Sequence, residues 1–186
     1  MYNINMANVL LCSASPRRRS LLHKVIKEFD VTASSAEERS DYIRPHLRVM
    51  DLAKKKGESV GEERRLVIAS DTIVYRKGKY YGKPKDREDA FRMLKELSGV
   101  KHSVYTGVYL KKGANIRLFY DRADVVFKAL TDREIEKYIE EFSPLDKAGA
   151  YGVQDGVVVK KYEGSFDTIM GLPTEKLELV LKEMGV

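Results

Sequence analysis

The chain has 186 residues and a formal net charge of +6, with interspersed charges of both signs at 33%; this suits one domain or two closely joined lobes and permits nucleic-acid binding without requiring it. A single cysteine, Cys12, excludes an internal disulfide framework and fits a reducing compartment. No apolar stretch approaches the ~20 residues that span a bilayer, and the first residues show neither the n-region nor the h-region of a signal peptide, so the expectation is a soluble cytoplasmic protein with no membrane partner.

Val9-Leu10-Leu11-Cys12 reads as a strand, with Cys12 a buried structural thiol and not a nucleophile. Ser15 is a good N-cap and Pro16 suits the first helical position, where no N–H is needed. Arg17, Arg18 and Arg19 then open a helix whose Leu21, Leu22, Val25, Ile26 and Phe29 recur at helical spacing. A helix N-terminus already attracts anions, and three guanidinium groups crowded there repel one another unless something negative lies nearby. The stretch from Ser13 to Arg19 reads either as a phosphate site or as a solvated basic patch.

FDVTAS is a second strand, followed by the acidic pair Glu37-Glu38. A helix from about Pro45 to Lys56 puts Leu47, Met50 and Ala53 on one face, with Gly57 ending it. Arg65 to Ser70 reads as a buried strand with Asp71 at its C-terminal end, and Thr72 to Tyr75 continues extended. Lys77-Gly78 is a hairpin turn and Lys83-Pro84 leaves it. Asp86 caps a helix with the stripe Ala90, Met93, Leu94 and Leu97, which Gly99 ends. HSVYTGVYL and NIRLFYDRADVVFKAL, joined by KKGA, form a long hairpin. Thr131 with Glu134 is a capping-box signature for a helix bearing Ile135, Tyr138, Ile139 and Phe142. The glycine-rich PLDKAGAYGVQDG leads into the strand VVVKKY, Gly164 to Pro173 is a loop, and Thr174 caps a last helix with Leu177, Leu181 and Met184. Alternating strands and helices with hairpins among them predict an α/β fold, a mixed sheet with flanking helices.

The charged residues at predicted strand ends and turns are Arg17, Arg18, Arg19, Glu38, Asp71, Lys83, Asp146 and Lys147. Ligands of open α/β sheets bind beyond the strand C-termini, where Ser13, Arg17 and Asp71 can converge. Carboxylates facing several cations are what a metal-triphosphate site requires, because carboxylates hold a hard cation that bridges phosphate oxygens. The bland reading of Asp71 is a turn aspartate. No Walker A or G-x-G-x-x-G signature occurs. His23, His46 and His102 are scattered without metal-ligand spacing and read as surface or boundary residues. Ser13 lies outside G-x-S-x-G. What remains is metal-assisted attack of water on phosphorus, with a carboxylate taking the proton. Two other classes stay open. One is a nucleotide-sensing or nucleic-acid-binding regulator, against which the interspersed acids and the lack of a nucleic-acid motif count. The other is a structural domain with a basic surface.

The strings CSASPRRRSLL, ASDTIV, GKPKDREDAFRMLKELSG, YTGVYL, PLDKAGAYGVQDG and GSFDTIMGLP occur in this order over nearly the whole chain, and together they resemble the Maf family of nucleoside triphosphate pyrophosphatases. The resemblance implies a single Maf-like domain over 1–186, with a mixed twisted sheet and two lobes around a central cleft, as in Maf and ITPase-like folds. It implies a nucleoside triphosphate substrate, cleaved to the monophosphate and pyrophosphate with a divalent cation, Mg²⁺ or alternatively Mn²⁺. It also suggests a homodimer and a role in sanitising nucleotide pools, modified pyrimidine nucleotides among them, or arresting division; the interspersed acids and missing motif already make nucleic acid an unexpected partner. By the same resemblance Asp71 is the proton acceptor and, with Glu38 (Glu37 is adjacent), a metal ligand. Ser13, Ser15, Arg17, Arg18, Lys56 and Lys83 handle phosphate. The branch acting on dTTP and UTP carries Arg, Thr and Gln at three specificity positions, which here are Arg17, Thr72 and Gln154. QDGVVV is shorter and more acidic than the family's usual glycine-rich return after that glutamine.

Overall fold

A computed structural model describes residues 8–186; the reading of the first residues as lacking a leader falls partly on residues 1–7, outside those described. In chain order the elements are β1 (Val9–Cys12), α1 (Pro16–Leu22), β2 (Asp30–Thr32), α2 (Pro45–Glu58), β3 (Leu66–Arg76), β4 (Lys79–Tyr81), α3 (Arg87–Leu97), β5 (Lys101–Lys112), β6 (Asn115–Phe127), α4 (Asp132–Phe142), β7 (Val159–Glu163), α5 (Phe166–Met170) and α6 (Thr174–Glu183). The strands form one mixed, open sheet in the order β2-β1-β3-β5-β6-β7, with β4 paired to β3. β1 runs parallel to both β2 and β3, so helical crossovers and not hairpins must link them. The β3–β4 and β6–β7 pairs are antiparallel. The chain divides into two compact units. The first holds residues 8–71, Thr106–Asp121 and Gly171–Val186; the second holds Thr72–Tyr105 and Arg122–Met170.

In the first unit β1 and β3 pair from Val9↔Leu66 to Cys12↔Ala69. Cys12, Val67 and Ala69 pack with Ala53 of α2 and Tyr109 of β5. The α2 helix does not stop at Gly57 but runs through it to Glu58. The glycine is there for proximity. A Cβ at Gly57 would lie 2.3 Å from Tyr109 Cδ1, and one at Gly107 of β5 would lie 2.4 Å from the Val49 carbonyl oxygen of α2. Helix and strand therefore meet almost backbone to backbone, and this rotates the buried face of α2 to Val49, Leu52 and Ala53, leaving Leu47 and Met50 half-buried. The α1 helix is shorter than its apolar stripe predicts. It ends at Leu22, and turns with Lys24 N–H donating to Leu21 O and Val25 N–H to Leu22 O carry Val25 and Ile26 into the core.

The second unit is built on the stripe Ala90, Met93, Leu94 and Leu97 of α3 against Ile135, Tyr138 and Ile139 of α4. Both helices start as their sequences predict. Asp86 Oδ1 accepts from Asp89 N–H at 2.8 Å, and Thr131 and Glu134 form the full capping box. Lys77 and Gly78 both adopt positive φ, 45° and 85°, the geometry a two-residue hairpin favours. Two expectations are corrected in the C-terminal stretch. The predicted loop from Gly164 to Pro173 contains α5, and α6 has Pro173 at its N-cap with no side-chain cap, while Thr174 begins the helix and is buried.

His102 is a further correction, being buried at 3% exposure. Its Nε2 lies 2.9 Å from the Tyr151 hydroxyl, and its ring packs edge-on against Phe127 and Tyr151. Burial, helped by the charge of Arg76, pushes its pKa down to about 4, so it is neutral in the fold.

Gly107→Ala should cost about 3 kcal/mol of stability, since its neighbour is backbone that cannot step aside. Gly82→Ala, where nothing lies within 4 Å, should be neutral in the same urea titration; equal stability of the two variants would refute the close-approach reading. As pH falls from the unfolded histidine value toward about 4, the unfolded chain takes up a proton that folded His102 refuses. Stability should therefore decline by up to ~1.4 kcal/mol per pH unit in that window and level off below it. A His102→Phe variant with the same slope would remove His102 as its source.

Candidate active site

Strand alternation places the first group. Val67 and Ala69 face α2 in the core of the first unit, and period two sends Asp71, the next odd position, to that same face. Asp71 does not end its strand as the sequence suggests; β3 continues through it to Arg76. It is buried at 7% exposure, and its partner comes from the last turns of α2. Lys56 Nζ lies 2.5 Å from Asp71 Oδ1 and 2.9 Å from Glu38 Oε1. One ammonium thus joins a buried carboxylate to the exposed one that sequence comparison selected. Lys56 is itself fixed at its backbone, where its carbonyl accepts from the Cys12 thiol at 3.0 Å. Burial pushes the Cys12 pKa up, consistent with an inert structural thiol.

The turn after β1 supplies the second group. Ser15 N–H donates to Ser13 Oγ at 3.2 Å, and Ser15 Oγ accepts from Arg18 N–H at 3.5 Å, which closes the N-cap. The Arg18 side chain folds back over this turn, donating from Nη1 to Ser13 Oγ at 3.4 Å and from Nε to the Gly171 carbonyl at 3.0 Å. That same carbonyl accepts from Ser70 Oγ, also at 3.0 Å, so the residue preceding Asp71 and the guanidinium of Arg18 share one anchor. Burial pulls the Arg18 pKa down, as does Arg17, while Asp71 and Glu38 pull it up; a guanidinium stays charged under all of these. Ser13, Ser15, Arg17, Arg18, Glu38, Lys56 and Asp71 therefore occupy one electrostatic neighbourhood of the first unit.

The other expected residues lie in the second unit. Thr72 follows Asp71 on β3. Lys83 is exposed just after β4. The Gly82 carbonyl accepts from Gly149 N–H at 2.9 Å, tying the Lys83 turn to the glycine-rich stretch. Gln154 sits in the 3₁₀ turn Val153–Asp155 of that stretch. Asp146 and Lys147 pair with each other at 2.9 Å. Nothing in the sequence marks the Gly171 carbonyl as the anchor that Arg18 and Ser70 share, nor the bonds that Tyr138 makes to Gly152 and Asp155. Ser70 could have been suspected as a hydroxyl in an otherwise apolar strand run.

Asp71 and Glu38 offer hard oxygen donors on either side of one cationic point. No group of three or more His, Cys, Asp or Glu side chains suited to a metal occurs among the described residues. Two such carboxylates are hard donors of the kind that would hold a divalent cation such as Mg²⁺.

A family model described as Maf-like protein matches residues 8–184. A dTTP/UTP pyrophosphatase of Clostridium botulinum (strain Loch Maree) is 41% identical over 192 residues, covering 97% of this chain and 99% of that protein. One from Clostridium tetani is 40% identical, covering 96% and 98%, and one from Agathobacter rectalis is 38% identical, covering 97% and 99%. Among solved structures, the Ham1 protein of Staphylococcus aureus superposes with a TM-score of 0.55 at 13% identity, over 95% of this chain and 99% of that one; it shares the fold. No helix among the described residues is long and apolar enough to cross a membrane.

Replacing Lys56 by Met strands the Asp71 carboxylate in its buried setting, and the expected loss is about 3 kcal/mol at pH 7. Adding Asp71→Asn to that chain should recover part of it, because a neutral amide costs less to bury. A loss below about 1 kcal/mol in urea unfolding, as for an exposed pair, would show that the contact does not act as a buried ion pair.

Proposed function

This chain belongs to the Maf family, and from that premise we propose that it hydrolyses dTTP and UTP to the monophosphate and pyrophosphate. The observation that carries the reading is the pair of carboxylates, Asp71 and Glu38, on one ammonium, in the electrostatic neighbourhood of Arg18. The substrate class rests on what the relatives are said to act on.

Each residue has work that its position supports. The serine turn and the fixed Arg18 guanidinium receive phosphate oxygens, and Arg17 and Lys83 add positive charge. Lys56, which contacts both carboxylates, adds positive charge for phosphate, and Asp71 and Glu38 are the residues that would hold a divalent cation. That cation, Mg²⁺ with Mn²⁺ as the alternative, would supply neutralisation of phosphate charge and acidification of water. Asp71 accepts the proton of the water that attacks the α-phosphorus, and pyrophosphate leaves. Thr72 and Gln154 offer a hydroxyl and a carboxamide, which pair with O4, N3–H and O2 of uracil or thymine. Cytosine inverts donor and acceptor at two of these places and leaves polar groups unpaired. The reading extends to a cytoplasmic enzyme acting as a single domain or as a homodimer of such domains; the buried lone cysteine supports the compartment.

The test is incubation of the full chain with Mg²⁺ and each nucleoside triphosphate, with assay of pyrophosphate and monophosphate. Release of pyrophosphate from dTTP and UTP ahead of the other triphosphates is expected. Release from none of them sinks the proposal. Asp71→Asn should lower kcat by about 10³-fold while far-UV circular dichroism stays that of the parent. Near-normal turnover would remove Asp71 as the proton acceptor.

A further inference from the structure

One phenol in the second unit makes two bonds that the proposed chemistry does not use. Tyr138 lies on α4 at 1% exposure, its ring stacked on Phe142 with centroids 5.0 Å apart. Its hydroxyl accepts from Gly152 N–H at 3.0 Å and donates to Asp155 Oδ2 at 2.5 Å. These residues bracket the turn that carries Gln154. The turn is tight. Asp155 N–H donates back to the Gly152 carbonyl at 3.2 Å, and Gly156 leaves the turn at φ 69°. Side chains also fold back over Gly152: a Cβ there would lie 2.4 Å from Gln154 Nε2 and 2.7 Å from Asp155 Oδ2. The carboxamide thus rests on bare backbone, between a glycine and an aspartate both tied to the same hydroxyl. Asp155 is part of this chain's acidic departure after the glutamine, and it supplies the acceptor for the phenol. The base of the clamp is rigid, since α4 starts in a full capping box and packs against α3.

We propose that Tyr138 is a positioning residue for pyrimidine selectivity: with Asp155 it holds the Gly152–Asp155 turn so that the Gln154 carboxamide faces the base. The inference rests on the reading of Gln154 as a base contact. A pre-set carboxamide meets uracil or thymine without ordering cost, whereas a mobile one pays rotamer entropy on binding and rotates to suit cytosine as well. The hydroxyl acts on base binding and not on the phosphorus.

Tyr138→Phe keeps the ring and removes both bonds. KM for UTP and dTTP should rise about tenfold with kcat within about twofold, and the preference for UTP over CTP should fall by a similar factor. In a Gln154→Ala background the same change should move base preference less than about twofold. Asp155→Asn, which keeps an acceptor for the phenol, should retain selectivity, whereas Asp155→Ala should lose it; these variants also serve if Tyr138→Phe fails to fold. Gln154 is the sole glutamine of the chain, so ¹⁵N-glutamine labelling yields one side-chain amide pair as a readout independent of activity. The pair should be dispersed in the parent and move to free-glutamine positions in Tyr138→Phe. An unmoved amide pair, or a selectivity change just as large when Gln154 is Ala, would overturn the proposal. If Gln154→Ala alone leaves base preference unchanged, the base-contact reading fails, and the amide pair still decides whether Tyr138 holds the side chain.

Discussion

The ammonium of Lys56 between Asp71 and Glu38 is the constraint on which the first unit turns. Burying a lysine and an aspartate costs several kcal/mol per ion before their attraction returns any of it. The cost is met only if helix and strand arrive at a fixed separation. Gly57 on α2 and Gly107 on β5, the sheet neighbour of β3, set how closely α2 approaches the sheet, because each removes a Cβ that would strike the other element. The Cys12 thiol then ties the Lys56 carbonyl to β1. Packing of small residues and a buried ion pair are thus one device: the glycines bring the helix close, and closeness delivers the charge.

The second unit solves a different problem with neutral groups. Among its buried polar groups are two phenols and an imidazole, Tyr138, Tyr151 and His102, and their bonds run to loops and to one another. Neutral donors avoid the desolvation cost of ions while still fixing the backbone they touch. The contrast follows from the chemistry proposed for each part. Phosphate and metal call for charge that can change partners, and a base edge calls for dipoles that stay where they are put.

Much of this was legible in the chain, for stated reasons. The Ser15-Pro16 start, the Asp86 cap and the Thr131–Glu134 box are local signals, and the structure forms all three. The stripes of α3 and α4 are buried as their spacing predicts. The family resemblance selected Glu38, Lys56 and Asp71 together, and they do lie together. Where local rules failed, a tertiary contact outweighed them. Gly57 looks like a stop signal because helix propensity counts only backbone freedom, yet here it admits the Tyr109 ring. The five residues of α5 are too few to show a period. His102 alternates with the buried Val104 along β5, so the strand pattern held a signal that its polarity masked. The Tyr138 clamp joins positions with no sequence spacing in common, and only the folded chain brings them together.

The dipeptide Asp71-Thr72 sharpens what register must do. Successive side chains on a strand point to opposite faces, so the carboxylate proposed to take a proton and the hydroxyl proposed to meet the base leave β3 in opposite directions. A slip of one residue would exchange them and put Ser70 opposite Lys56. Burial on both faces of Leu66 to Ser70 forbids this slip less firmly than an alternating strand would, because apolar residues satisfy either face. Polar pins must therefore carry the register. Arg65, immediately before the strand, pairs with Asp30 of β2 at 2.8 Å and with Glu62 at 2.7 Å, and Ser70 donates to Gly171. Pinned before its first residue and again just ahead of Asp71, the uniformly apolar run is left with one register in which a carboxylate meets the ammonium.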